Sequence, residues 1–83
     1  KLERYPEAIA SFEKSLRYRS DNPNAWYGKA CSYAAQGDVE QAVKNLHRAI
    51  LLSPNLYRVM AQTDSAFDTI RDAEPFRDLM HGR

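Results

Sequence analysis

The feature that most limits what this chain can fold into is a repeat. Ala8, Phe12, Ser15 and Leu16 return as Ala42, Leu46, Ala49 and Ile50, each pair at an offset of 34 residues, Ala8 to Ala42. Ile9 pairs with Val43 and Lys14 with Arg48 at the same offset, without a gap. Each copy alternates small and large residues. Small Ala8 and Ala42 let a neighbouring helix come close, and large Phe12 and Leu46 fill the space beside it. A period in this range marks a supersecondary unit that buries its apolar face only against its neighbours.

The pattern inside the period is helical, and no stretch alternates as a strand would. A first helix is expected from about Tyr5 to Arg19, with Pro6 at its start, where a missing N–H costs nothing. Ala8, Ile9, Phe12 and Leu16 form its apolar stripe, and Ser20-Asp21-Asn22 breaks it. A second follows from an Asn22 cap and Pro23 to about Gln36, closed by Gly37 in a left-handed turn. A third follows at once, with Asp38 as cap and Gln41 three residues on. Its stripe is Val39, Ala42, Val43, Leu46, Ala49 and Ile50, and Ser53-Pro54-Asn55 ends it. Two helices joined only by Gly37-Asp38 must fold back as an antiparallel hairpin. The tail is less regular. Leu56 to Gln62 should be helical, Thr63 to Ser65 should break, Ala66 to Arg71 supplies a turn or two, and Asp72 should cap a last helix through Met80.

With 83 residues the chain is one domain at most. Its net charge of +1 gives no electrostatic case for nucleic acid or an anionic membrane. No apolar run approaches the roughly 20 residues that a membrane helix needs, and no signal peptide is expected. The single Cys cannot form an internal disulfide, which fits a reducing compartment, and a cytoplasmic location is expected. The sequence opens at Lys1 inside a helical pattern and reads as a piece of a longer array.

The period, the helix-turn-helix unit and the residues at fixed offsets resemble the tetratricopeptide repeat family. The best copy runs from Pro23 to Leu56: Trp26, Ala30, Tyr33, Gly37-Asp38 at the turn, Ala42, Leu46, Ala49 and Pro54. It departs at Lys29, where the family carries an apolar Leu, so this Lys must snorkel or face solvent. The first copy keeps only a second helix, with Tyr5, Ala8, Phe12 and Ser15. A third unit starts at Tyr57 in the same register and then loses the pattern. Its stretch from Tyr57 to Met80 resembles the closing module of many bacterial, notably cyanobacterial, tetratricopeptide proteins. The resemblance implies an all-α array, a right-handed superhelix fragment. Residues 1–22 are then the second helix of a truncated unit, 23–56 a complete unit, and 57–83 a degenerate unit with a C-terminal capping helix. A stacked array needs its last apolar face covered. Phe67, Ile70, Phe76 and Leu79 supply that cover, with Asp64, Asp68, Asp72 and Asp78 on the wet side.

Little in the chain points to catalysis. Cys31 lies mid-helix without a nearby base to stabilise a thiolate, and reads as a small buried residue. Cys31, His47 and His81 lack metal-ligand spacing. His47 falls off the apolar stripe and reads as a surface residue. The "TDSAFD" stretch lacks the Gly and closing Glu of a calcium loop, and turn capping explains it. No phosphate loop, nucleophile elbow or paired-carboxylate motif is present. No enzyme activity, cofactor or metal is therefore expected.

What remains is a binding surface. The resemblance implies that the first helix of each repeat lines a concave face that takes a peptide or partner protein. Trp26, Ala30 and Tyr33 then face the packed side, and Asn24, Tyr27 and Cys31 the groove. Arg58 and Gln62 take matching places on the next such helix. Some family members clamp a C-terminal carboxylate with several Lys, Arg and Asn. Asn24 and Arg58 match such a clamp only loosely, and Gln62 stands where a second base would help. A second expectation is structural: Ile9, Phe12 and Leu16 lack a hairpin partner, so the first helix is a possible site of self-association.

Overall fold

A computed structural model describes residues 4–81 of the chain; Gly82-Arg83, expected to end the last helix, lie outside that range. Five α-helices and one 3-10 segment follow in order: α1 Tyr5–Tyr18, α2 Pro23–Ala35, α3 Val39–Leu52, α4 Pro54–Thr63, the segment Ser65–Ile70, and α5 Glu74–Met80. No strand is present among the described residues. The expected all-α array of helix hairpins is what the chain forms.

Local chemistry explains where each element begins and ends. Asn22 caps α2 by accepting the Asn24 N–H at 3.1 Å, and Pro23 opens the helix. At the other end Gly37 takes a φ of +79°, which only glycine adopts without strain. The turn it makes lets the Gly37 N–H reach the Ala34 carbonyl at 2.9 Å and the Asp38 N–H reach the Tyr33 carbonyl at 3.0 Å. Asp38 then caps α3 by accepting the Gln41 N–H at 3.2 Å. The chain thus reverses in two residues, and α2 and α3 pack along their lengths. Ala30 and Ala34 on one helix and Ala42, Leu46 and Ala49 on the other are fully buried.

The register changes after α3. Residues 19–22 separate α1 from α2, whereas Ser53 alone separates α3 from α4. The link is three residues shorter, so α4 stands 31 residues after α2 (Pro23 to Pro54) and not 34. Tyr57 and Ala61, both buried, occupy the places of Trp26 and Ala30. The expected start of a third unit at Tyr57 is corrected: α4 begins at Pro54, where a proline is preorganised for the first helical position. The expected Asp72 cap is also corrected. The turn after the 3-10 segment continues through Asp72, so the extended cap conformation falls on Ala73, which has no side-chain acceptor.

The last two elements close the stack. Phe67, Ile70, Phe76 and Leu79 are all buried in one cluster with α2, α3 and α4. Phe67 lies 5.4 Å from Phe76 and edge-on to Tyr27 at 5.7 Å, between centroids. Two side chains anchor the closing segment to carbonyls at the ends of α2 and α4. The Thr69 hydroxyl donates to the Ala34 carbonyl at 2.7 Å. The Arg71 guanidinium donates to the carbonyls of Ala61, Gln62 and Asp64 at 3.2, 2.6 and 2.7 Å.

At the other end, α1 packs chiefly on α2. Ile9 is buried, and Phe12 and Leu16 are half-buried. Phe12 points its ring end at Gly28. A Cβ at Gly28 would lie 2.3 Å from Phe12 Cζ, so the absent side chain is what seats the ring. Of the two courses open to Lys29, it takes the packed one: its side chain is only 12% exposed, and its ammonium lies 5.2 Å from the Trp26 ring centroid and meets Glu13 of α1 at 3.5 Å. The indole N–H of Trp26 donates to the Ser20 carbonyl at 2.8 Å and pins the loop between α1 and α2.

Gly28→Ala tests this seat, because two effects oppose each other. Removing a mid-helix glycine gains up to about 1 kcal/mol of helix propensity, while overpacking costs about 1–3 kcal/mol. The clash should win, giving lower stability in urea denaturation and faster amide exchange across α1. In a Phe12→Ala background the clash is gone, and Gly28→Ala should instead stabilise. The same sign in both backgrounds would refute the account.

Candidate partner-binding site

The expected groove begins with the face of α2 that carries Asn24, Tyr27, Cys31 and Ala34. These residues follow helical spacing, and the 31-residue register places Asn55, Arg58 and Gln62 of α4 opposite the first three. The structure brings Asn24, Arg58 and Gln62 to accessible positions: Asn24 and Gln62 are exposed and Arg58 is half-buried.

Tyr27 does not lie open to a partner, and this corrects the sequence expectation. It is 8% exposed, with its ring 5.2 Å from Tyr57 and 5.7 Å from Phe67. Its hydroxyl donates to Asp64 Oδ2 at 2.6 Å. The reason is the closing segment, which crosses this face of α2. Thr69 sits on the last turn, and Ala34 beneath it has no exposed surface. Helical periodicity assigned Tyr27 to the right face of α2, but could not show that the chain itself covers that face.

Tyr57 mirrors Tyr27. Its hydroxyl donates to Asn24 Oδ1 at 2.6 Å. The two tyrosines therefore cross: the α2 ring reaches a carboxylate at the end of α4, and the α4 ring reaches an amide at the start of α2. Asp64 also accepts the Ala66 N–H at 2.9 Å, so one carboxylate caps the 3-10 segment and holds Tyr27. It is not the simple wet-side residue that its sequence position implied. Neither Tyr57 nor the capping role of Arg71 was singled out in the sequence. The Tyr57 signal was available in the spacing Pro54-x2-Tyr57-x3-Ala61, which copies Pro23-x2-Trp26-x3-Ala30.

Cys31 is half-buried against the core. Burial, and then the nearby Asp64 carboxylate, push its thiol up to about 12, so it is a poor nucleophile at neutral pH. Burial and the bond to Asp64 likewise raise the Tyr27 phenol above its ordinary value. Both side chains are held neutral. His47 is exposed. Among the described residues no group of His, Cys, Asp and Glu side chains could hold a metal ion, and no helix is long and apolar enough to cross a membrane.

Arg58 differs from the other groups on this face. Its Nε is buried and has no hydrogen-bond partner among the described residues. An unpaired buried N–H costs roughly 1–3 kcal/mol. Arg58 stands where α2 carries Tyr27, but has no counterpart of Asp64 to receive it.

Comparison with known proteins fits this geometry. The tetratricopeptide repeat family model matches residues 1–63. The TPR repeat-containing thioredoxin TTL4 of Arabidopsis thaliana is 29% identical over 73 residues, which is 88% of this chain and 11% of that protein. The chain thus spans about a tenth of the length of the curated relative it matches. No solved structure matches.

Two measurements check the buried hydroxyl and thiol. Tyr27→Phe should lose about 1–2 kcal/mol in chemical denaturation at neutral pH; an unchanged midpoint would remove Asp64 from the account. The thiol also predicts alkaline sensitivity. The fold holds the Cys31 proton up to about pH 12, while an ordinary thiol releases it near 9. The thiol's contribution to stability should therefore be level below pH 9 and decline as pH rises from 9 towards 12. Thermal scans of Cys31→Ala should show a shallower decline than the parent chain.

Proposed function

The chain belongs to the tetratricopeptide repeat family, and from that premise we propose that it is a protein–protein interaction module whose partner docks on the face shared by α2 and α4. The family acts generally as interaction scaffolds. The sole cysteine leaves no dithiol pair in these 83 residues, so the thioredoxin in the relative's name has no counterpart here.

The observation that carries this reading is Arg58. A guanidinium stays charged at all ordinary pH values and offers donors in a rigid fork. Here its Nε finds no acceptor among the described residues. A swing of its stem presents that fork to a carbonyl or carboxylate on an incoming peptide. Asn24 and Gln62 flank it with amides, and Cys31 lines the apolar side. Tyr27 serves the site from beneath, by holding Asp64 and the end of α4. The contact set is therefore Asn24, Cys31, Arg58 and Gln62, with Tyr27 as support. One arginine with two amides favours a single polar anchor over a multi-lysine clamp.

Self-association through α1 is the weaker reading. Ile9 is already buried and Phe12 is seated on Gly28, so the open part of that stripe is reduced.

The test is affinity capture with the full-length protein, identification of the bound protein, and repetition with variants. Arg58→Ala should reduce capture by about tenfold or more with helicity unchanged, and Gln62→Ala should reduce it less. Capture that survives Arg58→Ala intact would move the partner to another surface.

A further inference from the structure

A second surface lies on the other side of α2, away from Arg58. Trp26 and Lys29 of α2 and Gln41, Lys44, Asn45 and Arg48 of α3 line one cleft. The spacing places them there: 26 and 29 share a face of α2, and 41, 44, 45 and 48 form one stripe of α3. Three of the six are cations, in a chain whose net charge is only +1. The Arg48 guanidinium lies over the Trp26 ring, with Cζ 4.8 Å from its centroid, and Lys29 Nζ lies 5.2 Å from the same centroid. Lys29 is paired with Glu13 at 3.5 Å. Lys44 and Arg48 are exposed, and no described carboxylate lies within ion-pair distance of either.

We propose that this cleft binds an acidic segment of a partner protein, with Arg48 and Lys44 receiving two of its carboxylates. The indole face supports the Arg48 guanidinium from one side and leaves its N–H groups for a bidentate carboxylate. Lys44, one helical turn earlier on the same stripe, supplies a point charge for a second. Asn45 is buried and ties its amide to the Gln41 carbonyl at 2.8 Å, which stiffens the floor between the two cations. The occupant follows from the charge pattern. Lys29 is already neutralised by Glu13, so the charge left unpaired is confined to Lys44 and Arg48, one helical turn apart. Two cations at that spacing suit a pair of separate carboxylates better than a continuous polyanion such as a nucleic-acid backbone. The site is distinct from the Arg58 face and does not depend on that reading.

Trp26 is the only tryptophan, so its fluorescence reports on the cleft directly. The experiment titrates the chain with a hexaglutamate peptide at low salt, with separate titrations by inorganic phosphate and by an oligothymidylate. A saturable change with the peptide is expected. It should weaken about fivefold in Arg48→Gln and about fivefold in Lys44→Gln, each with unchanged helicity by circular dichroism. Arg58→Ala should leave it unaltered, and this separates the cleft from the other face. The proposal fails if the peptide gives no saturable change, or if its affinity survives both cleft substitutions. It also fails if the oligothymidylate or phosphate binds more tightly than the peptide.

Discussion

The crossed tyrosine bonds are what the closed end of this molecule depends on. Tyr27 of α2 reaches Asp64 beyond α4, and Tyr57 of α4 reaches Asn24 at the start of α2, each at 2.6 Å. The rings between them pack at 5.2 Å. Each ring supplies apolar area to the core and a hydroxyl that must find a partner when buried. The partners lie at opposite ends of the two helices, so the pair fixes both the separation and the sliding register of α2 against α4. Asp64 then passes the constraint on, because it also caps the 3-10 segment.

A closing module has to do two things at once. It must cover the apolar face that the last complete hairpin leaves open, and it must satisfy the carbonyls at the ends of the helices it meets. Phe67, Ile70, Phe76 and Leu79 do the first. Thr69 and Arg71 do the second, on α2 and α4 respectively. Arg71 also lies over the Phe76 ring with Cζ 5.7 Å from its centroid, which joins the polar and apolar parts of the module. The consequence for function is that the module occupies part of the α2 face that a partner would otherwise use. Accessible chemistry shifts towards Asn24, Arg58 and Gln62, near the start of α2 and along α4.

Two surfaces of opposite construction result. On the α2–α4 face the aromatic rings are buried and the Arg58 Nε lacks a partner among the described residues. On the α2–α3 face the aromatic ring of Trp26 is partly open and carries two cations above it. Helix α2 contributes to both because consecutive residues, Trp26 and Tyr27, point to different sides. The stretch that concentrates Trp26, Tyr27, Cys31 and Tyr33 is thus a hub for packing, and its chemistry is a matter of which side a ring faces.

The repeat determined most of the architecture by itself. Ala8-x3-Phe12 and Ala42-x3-Leu46 at one offset, with Pro23, Gly37 and Asp38 between them, are local signals: a fixed φ, a left-handed turn, a cap and a 3.6-residue stripe. Local signals are legible because the residues that make them are neighbours in the chain. The hairpin and the helix ends up to α3 could be read this way, and the four capping hydrophobes followed from the family resemblance. A link of one residue, signalled by Pro54, moved α4 by nearly a turn and placed Tyr57 in the core. Tertiary structure alone decided two other things. The 3-10 segment crossed α2 and buried Tyr27, which periodicity had assigned to an open face. Phe12 found Gly28, a glycine that no turn required. Each depends on residues that pack together across elements, between 16 and 40 positions apart (Phe12 to Gly28, Tyr27 to Phe67), and a helical period carries no information about which segment will lie on a given face.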